Sequence, residues 1–143
     1  MKIYIRRIPP QGITLQEQES IGLPDNLSGD IKFIAPFDIS AKVDKTQDTL
    51  LVETTVKSRF QSFCFRCLQD IEKDLCCSFL LDYTLDRQTD FIDITEDLRQ
   101  EVILGLPSLI ICDETCKGLC PKCGNNLNEG KCLCLPNDTK KIK

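Results

Sequence analysis

The residues best suited to chemistry lie between Cys112 and Cys134, in the stretch CDETCKGLCPKCGNNLNEGKCLC, which holds six of the ten cysteines. At its centre Cys120 and Cys123 are separated by Pro121 and Lys122 and followed by Gly124. Two thiolates on so tight a turn can grip one metal ion. A glycine at that point can take the positive φ that turns backbone N–H groups back toward the sulfurs. Cys112 and Cys116 precede the pair, and Cys132 and Cys134 follow it. This spacing is the one expected of a tetrahedral zinc site. Two more ligands are required. Cys116 with Cys132 or Cys134 is one combination, and Cys112 with Cys116 is another. Six cysteines exceed one mononuclear site, so the surplus can serve as exchange partners or as half of a second site.

A second thiol pair lies upstream in Cys64-Phe65-Arg66-Cys67. No glycine follows Cys67. Three readings stay open for it: a metal role shared with a surplus C-terminal cysteine, a structural turn, or redox chemistry. Cys76 and Cys77 are adjacent on an expected strand and point to opposite faces, so they do not readily chelate one ion together. Cys77 shares its face with Leu75 and Phe79 and reads as a small core hydrophobe.

The metal's work is expected to be structural. Residues 112–136 hold few large apolar groups, chiefly Leu119, Leu127, Leu133 and Leu135. Zinc supplies the folding free energy that burial lacks there, on the order of 10 kcal/mol or more at neutral pH. Four thiolates leave no open position for water, which argues against hydrolytic chemistry. Lys117, Lys122 and Lys131 would form a basic rim around the thiolate charge.

The composition excludes several classes of enzyme. There is no histidine, which removes Cys–His and Ser–His–Asp catalysis. No glycine-rich phosphate loop occurs. Asp93, Glu96, Asp97 and Glu101 are explained by helix capping and a solvated helix face. The balance of 18 Lys+Arg against 22 Asp+Glu gives a net charge of −4. A mildly acidic chain of this kind meets RNA, if at all, through a local contact. The N-terminus MKIYIRRIPPQG lacks the apolar run of a signal peptide, and no segment is long and apolar enough to span a membrane. Ten cysteines without a secretory signal point to reduced thiols, metal rather than disulfides, and a cytoplasmic location.

The elements that must position these thiols follow from periodicity. Lys2 to Arg6 reads as a short strand, and residues 13–30 read as a surface loop carrying Gly22, Pro24, Asn26 and Gly29. Ile31, Phe33, Ala35, Phe37, Ile39, Ala41 and Val43 alternate as one long strand with an interruption at Pro36. Leu50 to Phe60 and Leu75 to Leu85 form two more, giving an antiparallel meander. Ile94, Leu98, Val102 and Leu106 predict a helix over 95–106 that covers the sheet. Asp93 and Glu96 would form its capping box, and Pro107 would end it. The tail NDTKKIK reads as disordered.

Taken together, Cys64-Phe65-Arg66-Cys67-Leu68, the helix end Glu101 to Pro107, Cys116 to Asn128, and Cys132-Leu133-Cys134 resemble the YceD-like family, described as large ribosomal RNA subunit accumulation proteins. The resemblance runs from about Ile31 to Cys134. It implies a bacterial or organellar, non-enzymatic factor for large-subunit (23S) ribosomal RNA accumulation or processing, and hence for ribosome biogenesis. It implies no catalytic residues. Its partners would be large-subunit ribosomal RNA or its precursor, or ribosomal proteins, with no membrane. Candidate phosphate contacts are Arg59, Arg66, Lys117, Lys122, Lys131 and the tail lysines Lys140, Lys141 and Lys143. The expected architecture is α+β: an antiparallel β-meander sheet covered by one helix over 1–111, a cysteine-rich zinc-binding lobe over 112–136, and a basic tail over 137–143. Two rival functions are a thiol-switch zinc protein, such as a redox-regulated chaperone, and a protein-binding adaptor.

Overall fold

The computed structural model describes residues 1–23 and 31–134. The tail assigned to 137–143, and the part of the expected surface loop over 24–30, lie outside the described residues. The chain divides into two compact units. The first comprises Met1–Gln61 and Glu72–Pro107. The second comprises Ser62–Ile71 and Ser108–Lys143. The division therefore differs from one drawn at residue 111, because a hairpin turn contributed by Ser62–Ile71 joins the C-terminal cysteines.

The first unit is built on strands whose alternation is plain in the sequence. β1 (Lys2–Tyr4) leads into a 3-10 turn (Ile5–Arg7), and β2 (Ile13–Glu19) follows. Next come β3 (Lys32–Phe33), β4 (Phe37–Lys45), β5 (Thr49–Phe63), β6 (Asp70–Thr84), β7 (Phe91–Asp93) and helix α1 (Thr95–Leu104). β2, β4, β5 and β3 are hydrogen-bonded in that order, with β6 also pairing β5, while β1 and β7 make a separate two-stranded ribbon. Among the described residues the fold is α+β, with mostly antiparallel pairs and one α-helix.

Pro36 does break the long alternating segment. β3 and β4 both pair with β5, through Phe33↔Phe60 and Asp38↔Lys57. The chain advances five residues from 33 to 38 while β5 advances three from 60 to 57, so two extra residues are accommodated at the break. Proline has no N–H for the ladder. The freed carbonyl of Ala35 accepts the Ser58 hydroxyl at 3.0 Å instead.

Residues 13–19 correct the expected loop. They are strand β2, registered on β4 from Ile13↔Val43 to Glu19↔Phe37. Only Ile13 and Leu15 alternate as apolar residues in ITLQEQE, which is too short a signal to mark a strand. The ladder offered by β4 decides the conformation.

One sheet face is packed. Phe37, Ile39, Ala41 and Val43 of β4 meet Leu50, Val52, Val56 and Phe60 of β5, all buried. Helix α1 buries Leu98 and Val102, with Ile94 just before it also buried. The helix start departs from the expected capping box. The Asp93 carboxylate accepts the Thr95 N–H at 3.0 Å and its hydroxyl at 2.6 Å, and Glu96 instead pairs with Arg99 at 2.9 Å. These donors hold the Asp93 carboxyl below its usual range.

At the other helix end Gly105 closes on β6. A Cβ at Gly105 would lie 2.3 Å from the Cys77 sulfur. Cys77 is buried, as its pattern predicts, and burial pushes its thiol pKa up. Gly105→Ala is therefore expected to cost about 1–3 kcal/mol by overpacking. In a Cys77→Ala background most of that cost should vanish, and a double-mutant cycle by urea denaturation measures the difference.

Candidate metal centres

The second unit gathers eight of the ten cysteines, which all carry free thiols, into two groups of four. Cys64, Cys67, Cys112 and Cys116 form one, and Cys120, Cys123, Cys132 and Cys134 the other. Within each group all four sulfurs lie within 4.8 Å of one another.

Two turns with the same backbone supply one thiol pair to each group. In the downstream turn the Gly124 N–H donates to the Cys120 carbonyl at 2.9 Å, and the Cys120 N–H donates to the Asn125 carbonyl at 2.8 Å. Gly124 has φ +77°. In the upstream turn the Leu68 N–H donates to the Cys64 carbonyl, and the Cys64 N–H donates to the Gln69 carbonyl, both at 2.8 Å. Leu68 has φ +60°, which is uncommon for a residue with a Cβ. Its strain is of order 1 kcal/mol. The missing glycine after Cys67 is thus no obstacle: a leucine occupies the left-handed position, and two backbone bonds hold it there. Leu68→Gly is expected to be tolerated within about 1 kcal/mol, since relief of strain offsets the added freedom of the unfolded chain. Leu68→Val, branched at Cβ, should destabilise the second unit by more than that. Thermal denaturation of the metal-loaded variants measures both.

The other two thiols of the first group come from a short capped loop. The Asp113 carboxylate accepts the Thr115 N–H at 2.8 Å and its hydroxyl at 2.6 Å, and the Cys116 N–H donates to the Asp113 carbonyl at 3.1 Å. This folds the three residues between Cys112 and Cys116 into one turn. The sulfurs of Cys64 and Cys116 are 3.8 Å apart, and those of Cys67 and Cys112 are 3.7 Å apart. In the other group Cys120 lies 4.0 Å from Cys134 and 3.4 Å from Cys132. A tetrahedron with metal–sulfur bonds of about 2.3 Å has sulfur–sulfur edges of about 3.8 Å, so each group can hold a metal ion without rearrangement.

The electrostatics agree with that use. Burial opposes ionisation of Cys64, but backbone N–H groups of Cys67, Cys112 and Arg66 outweigh it and bring its pKa down to about 6. Cys120 is brought down to about 6 by the N–H groups of Cys123 and Lys122 and by the Cys132 thiol. Their neighbours move the other way. Cys112 is pushed up to about 12 by the Cys116 thiol and by burial, and Cys134 to about 12 by the Cys123 thiol and by burial. Four crowded thiols cannot all ionise without a cation between them. A divalent ion removes that conflict and releases protons as it binds.

Asn128 links the two groups. Its side-chain amide donates to the Cys116 sulfur at 3.2 Å and lowers that thiol's pKa, while its Oδ1 accepts the Lys117 N–H at 2.8 Å. It stands in the loop that closes the second group, where the Leu127 N–H donates to the Gly118 carbonyl at 2.9 Å. Partners of this kind orient metal ligands, and their loss typically costs 10- to 100-fold in metal affinity. Asn128→Ala should weaken the first group about tenfold or more and leave the second nearly unchanged. Chelator competition that follows the two sites separately tests this.

The expected ligand sets are therefore redistributed. Cys112 and Cys116 do not complete the Cys120–Cys123 site; they face Cys64 and Cys67. Both Cys132 and Cys134 join Cys120 and Cys123. Spacing along the chain cannot reveal this, because the first group joins segments 45 to 52 residues apart. Asn128 escaped the sequence reading too, since a surface-type asparagine gives no signal of contact with a sulfur.

The basic candidates also find places. Arg59 pairs with Asp74 at 2.8 Å. Arg66 donates to the carbonyls of Glu114 at 3.4 Å and Cys116 at 3.2 Å, so it braces the Cys112–Cys116 loop. Lys117, Lys122 and Lys131 are exposed in the second unit. Lys140, Lys141 and Lys143 lie outside the described residues.

Residues 81–142 match the family described as "Large ribosomal RNA subunit accumulation protein YceD", which bears out the resemblance carried by the helix end and the cysteine motifs after Cys112. A relative from Arabidopsis thaliana, "Large ribosomal RNA subunit accumulation protein YCED homolog 1, chloroplastic", is 51% identical over 43 residues, covering 30% of this chain and 13% of that protein. An uncharacterized protein of Mycobacterium leprae (strain TN) is 30% identical over 112 residues, covering 68% of this chain and 52% of its own length. The chain thus spans about half, or less, of the length of these relatives. No solved structure matches.

Proposed function

We propose that this chain serves the accumulation of large-subunit ribosomal RNA as a non-enzymatic factor, with two zinc ions holding its second unit. The observation that carries the reading is the family match over residues 81–142, a stretch that includes six of the eight clustered cysteines. The family's description names accumulation of an RNA and no reaction. Zinc is the metal best suited to four thiolates in a closed tetrahedron, where it acts as a structural cross-link. Eight thiolates around two divalent ions leave a formal charge of −2 at each centre, so the lobe itself is a poor phosphate binder. Its role is to hold a docking surface in shape, in a reducing compartment such as the cytoplasm where the thiols stay available.

Sucrose-gradient sedimentation of native lysate tests the reading. The protein should travel with precursors of the large subunit, and a Cys120→Ser/Cys123→Ser double variant should lose that position together with metal. A protein confined to the free pool, with large-subunit RNA at normal levels when it is depleted, contradicts the proposal.

A further inference from the structure

The β1–β7 ribbon carries two aromatic rings on its outer face. Tyr4 and Phe91 stand directly opposite each other in register, with ring centroids 5.9 Å apart and planes inclined at 46°. They are 46% and 45% exposed, while Ile3 between Lys2 and Tyr4 is buried. Alternation therefore turns Lys2 and Tyr4 outward together. Each ring has a cation over it: Lys2 Nζ lies 5.1 Å from the Phe91 centroid, and the Arg7 guanidinium carbon 5.0 Å from that of Tyr4. Arg6 beside them pairs with Asp90 at 3.0 Å. Asp93, opposite Lys2, is occupied by Thr95. The first sixteen residues hold three cationic side chains and no carboxylate side chain, in a chain whose net charge is −4.

We propose that this face of the ribbon is a docking site for single-stranded RNA, with Tyr4 and Phe91 as stacking surfaces for bases and Lys2 and Arg7 as phosphate contacts. The inference deepens the ribosomal-RNA reading and rests on it. Two half-exposed rings side by side offer π-faces to unpaired bases, which stack without regard to sequence. Cations already beside the rings need only short side-chain movements to reach the phosphates between stacked bases. Lysine is depleted at the centre of a protein–protein patch, whereas here Lys2 lies over Phe91. Of the phosphate contacts expected from sequence, Arg59 and Arg66 are bound within the chain, whereas the ribbon's Lys2 and Arg7 lie over aromatic rings.

The test titrates the zinc-loaded full chain with a labelled oligouridylate of about eight nucleotides. Tyr4→Ala with Phe91→Ala should weaken binding by about tenfold or more. Tyr4→Thr with Phe91→Thr, which keeps strand propensity, should do the same with unchanged metal content. Arg7→Ala should lower the slope of log K against log salt by about one. The chain has two tyrosines and no tryptophan, and the Tyr83 hydroxyl is tied to Asp97, so quenching of Tyr4 emission should report stacking. Wild-type binding that both double variants retain overturns the site while leaving an RNA role intact. Failure of the wild type to bind any oligonucleotide also overturns it. Co-sedimentation with large-subunit precursors then decides the broader reading, by a protein contact if it persists and against that reading if it is lost as well.

Discussion

Protein prepared with zinc is expected to bind two ions per chain, and Cys64→Ser is expected to bind one. The same loss should follow from Cys112→Ser at the first group and from Cys120→Ser at the second, each removing a single ion. This outcome separates two centres from the one expected when only the C-terminal cysteines are considered. The effect on folding should be large. Structural zinc contributes on the order of 10 kcal/mol or more at neutral pH, which exceeds the whole stability of many domains. The second unit has little else to hold it: its buried cluster consists of Cys64, Cys67 and Cys116, with Ile71, Ile111 and Cys112 packed against them. Chelation should therefore unfold this unit, while methyl resonances of Val52, Val56 and Val102 in the first unit keep their dispersion. Native mass spectrometry gives the stoichiometry, and NMR with and without chelator gives the rest. One ion in the wild type, or two in Cys64→Ser, sinks the assignment of the first group.

Leu98→Ala is expected to be the most costly single truncation in α1. Leu98 is fully buried, and its removal should destabilise the first unit by about 3–5 kcal/mol through lost transfer free energy and a residual cavity. Leu104 on the same helix is 77% exposed, and Leu104→Ala should change stability by about 0.5 kcal/mol or less. Urea denaturation of the two variants side by side measures the contrast. A cost near zero at Leu98 would mean that α1 is not packed as described. Neither substitution touches a cysteine, so metal content should remain at two ions per folded chain.

Much of this molecule was legible in its sequence. Alternation in Phe37 to Val43 and Leu50 to Phe60 defines the packed face of the sheet, because side chains on a strand have a period of two. The i, i+4 series from Ile94 through Leu98 to Val102 defines the helix for the equivalent reason at period 3.6. Cys120-Pro121-Lys122-Cys123-Gly124 declares a turn able to hold a metal because the sulfurs, the turn and the left-handed glycine are all local. What the tertiary structure alone decided is which thiols meet. Cys64 and Cys67 join Cys112 and Cys116 across 45 to 52 residues, and Asn128 reaches the Cys116 sulfur from the loop of the other group. Leu68 takes a left-handed conformation that its own side chain disfavours, and β2 forms from a segment whose pattern is weak. For Leu68 and β2 the local preference is worth about a kilocalorie, and contacts with other parts of the chain outweigh it.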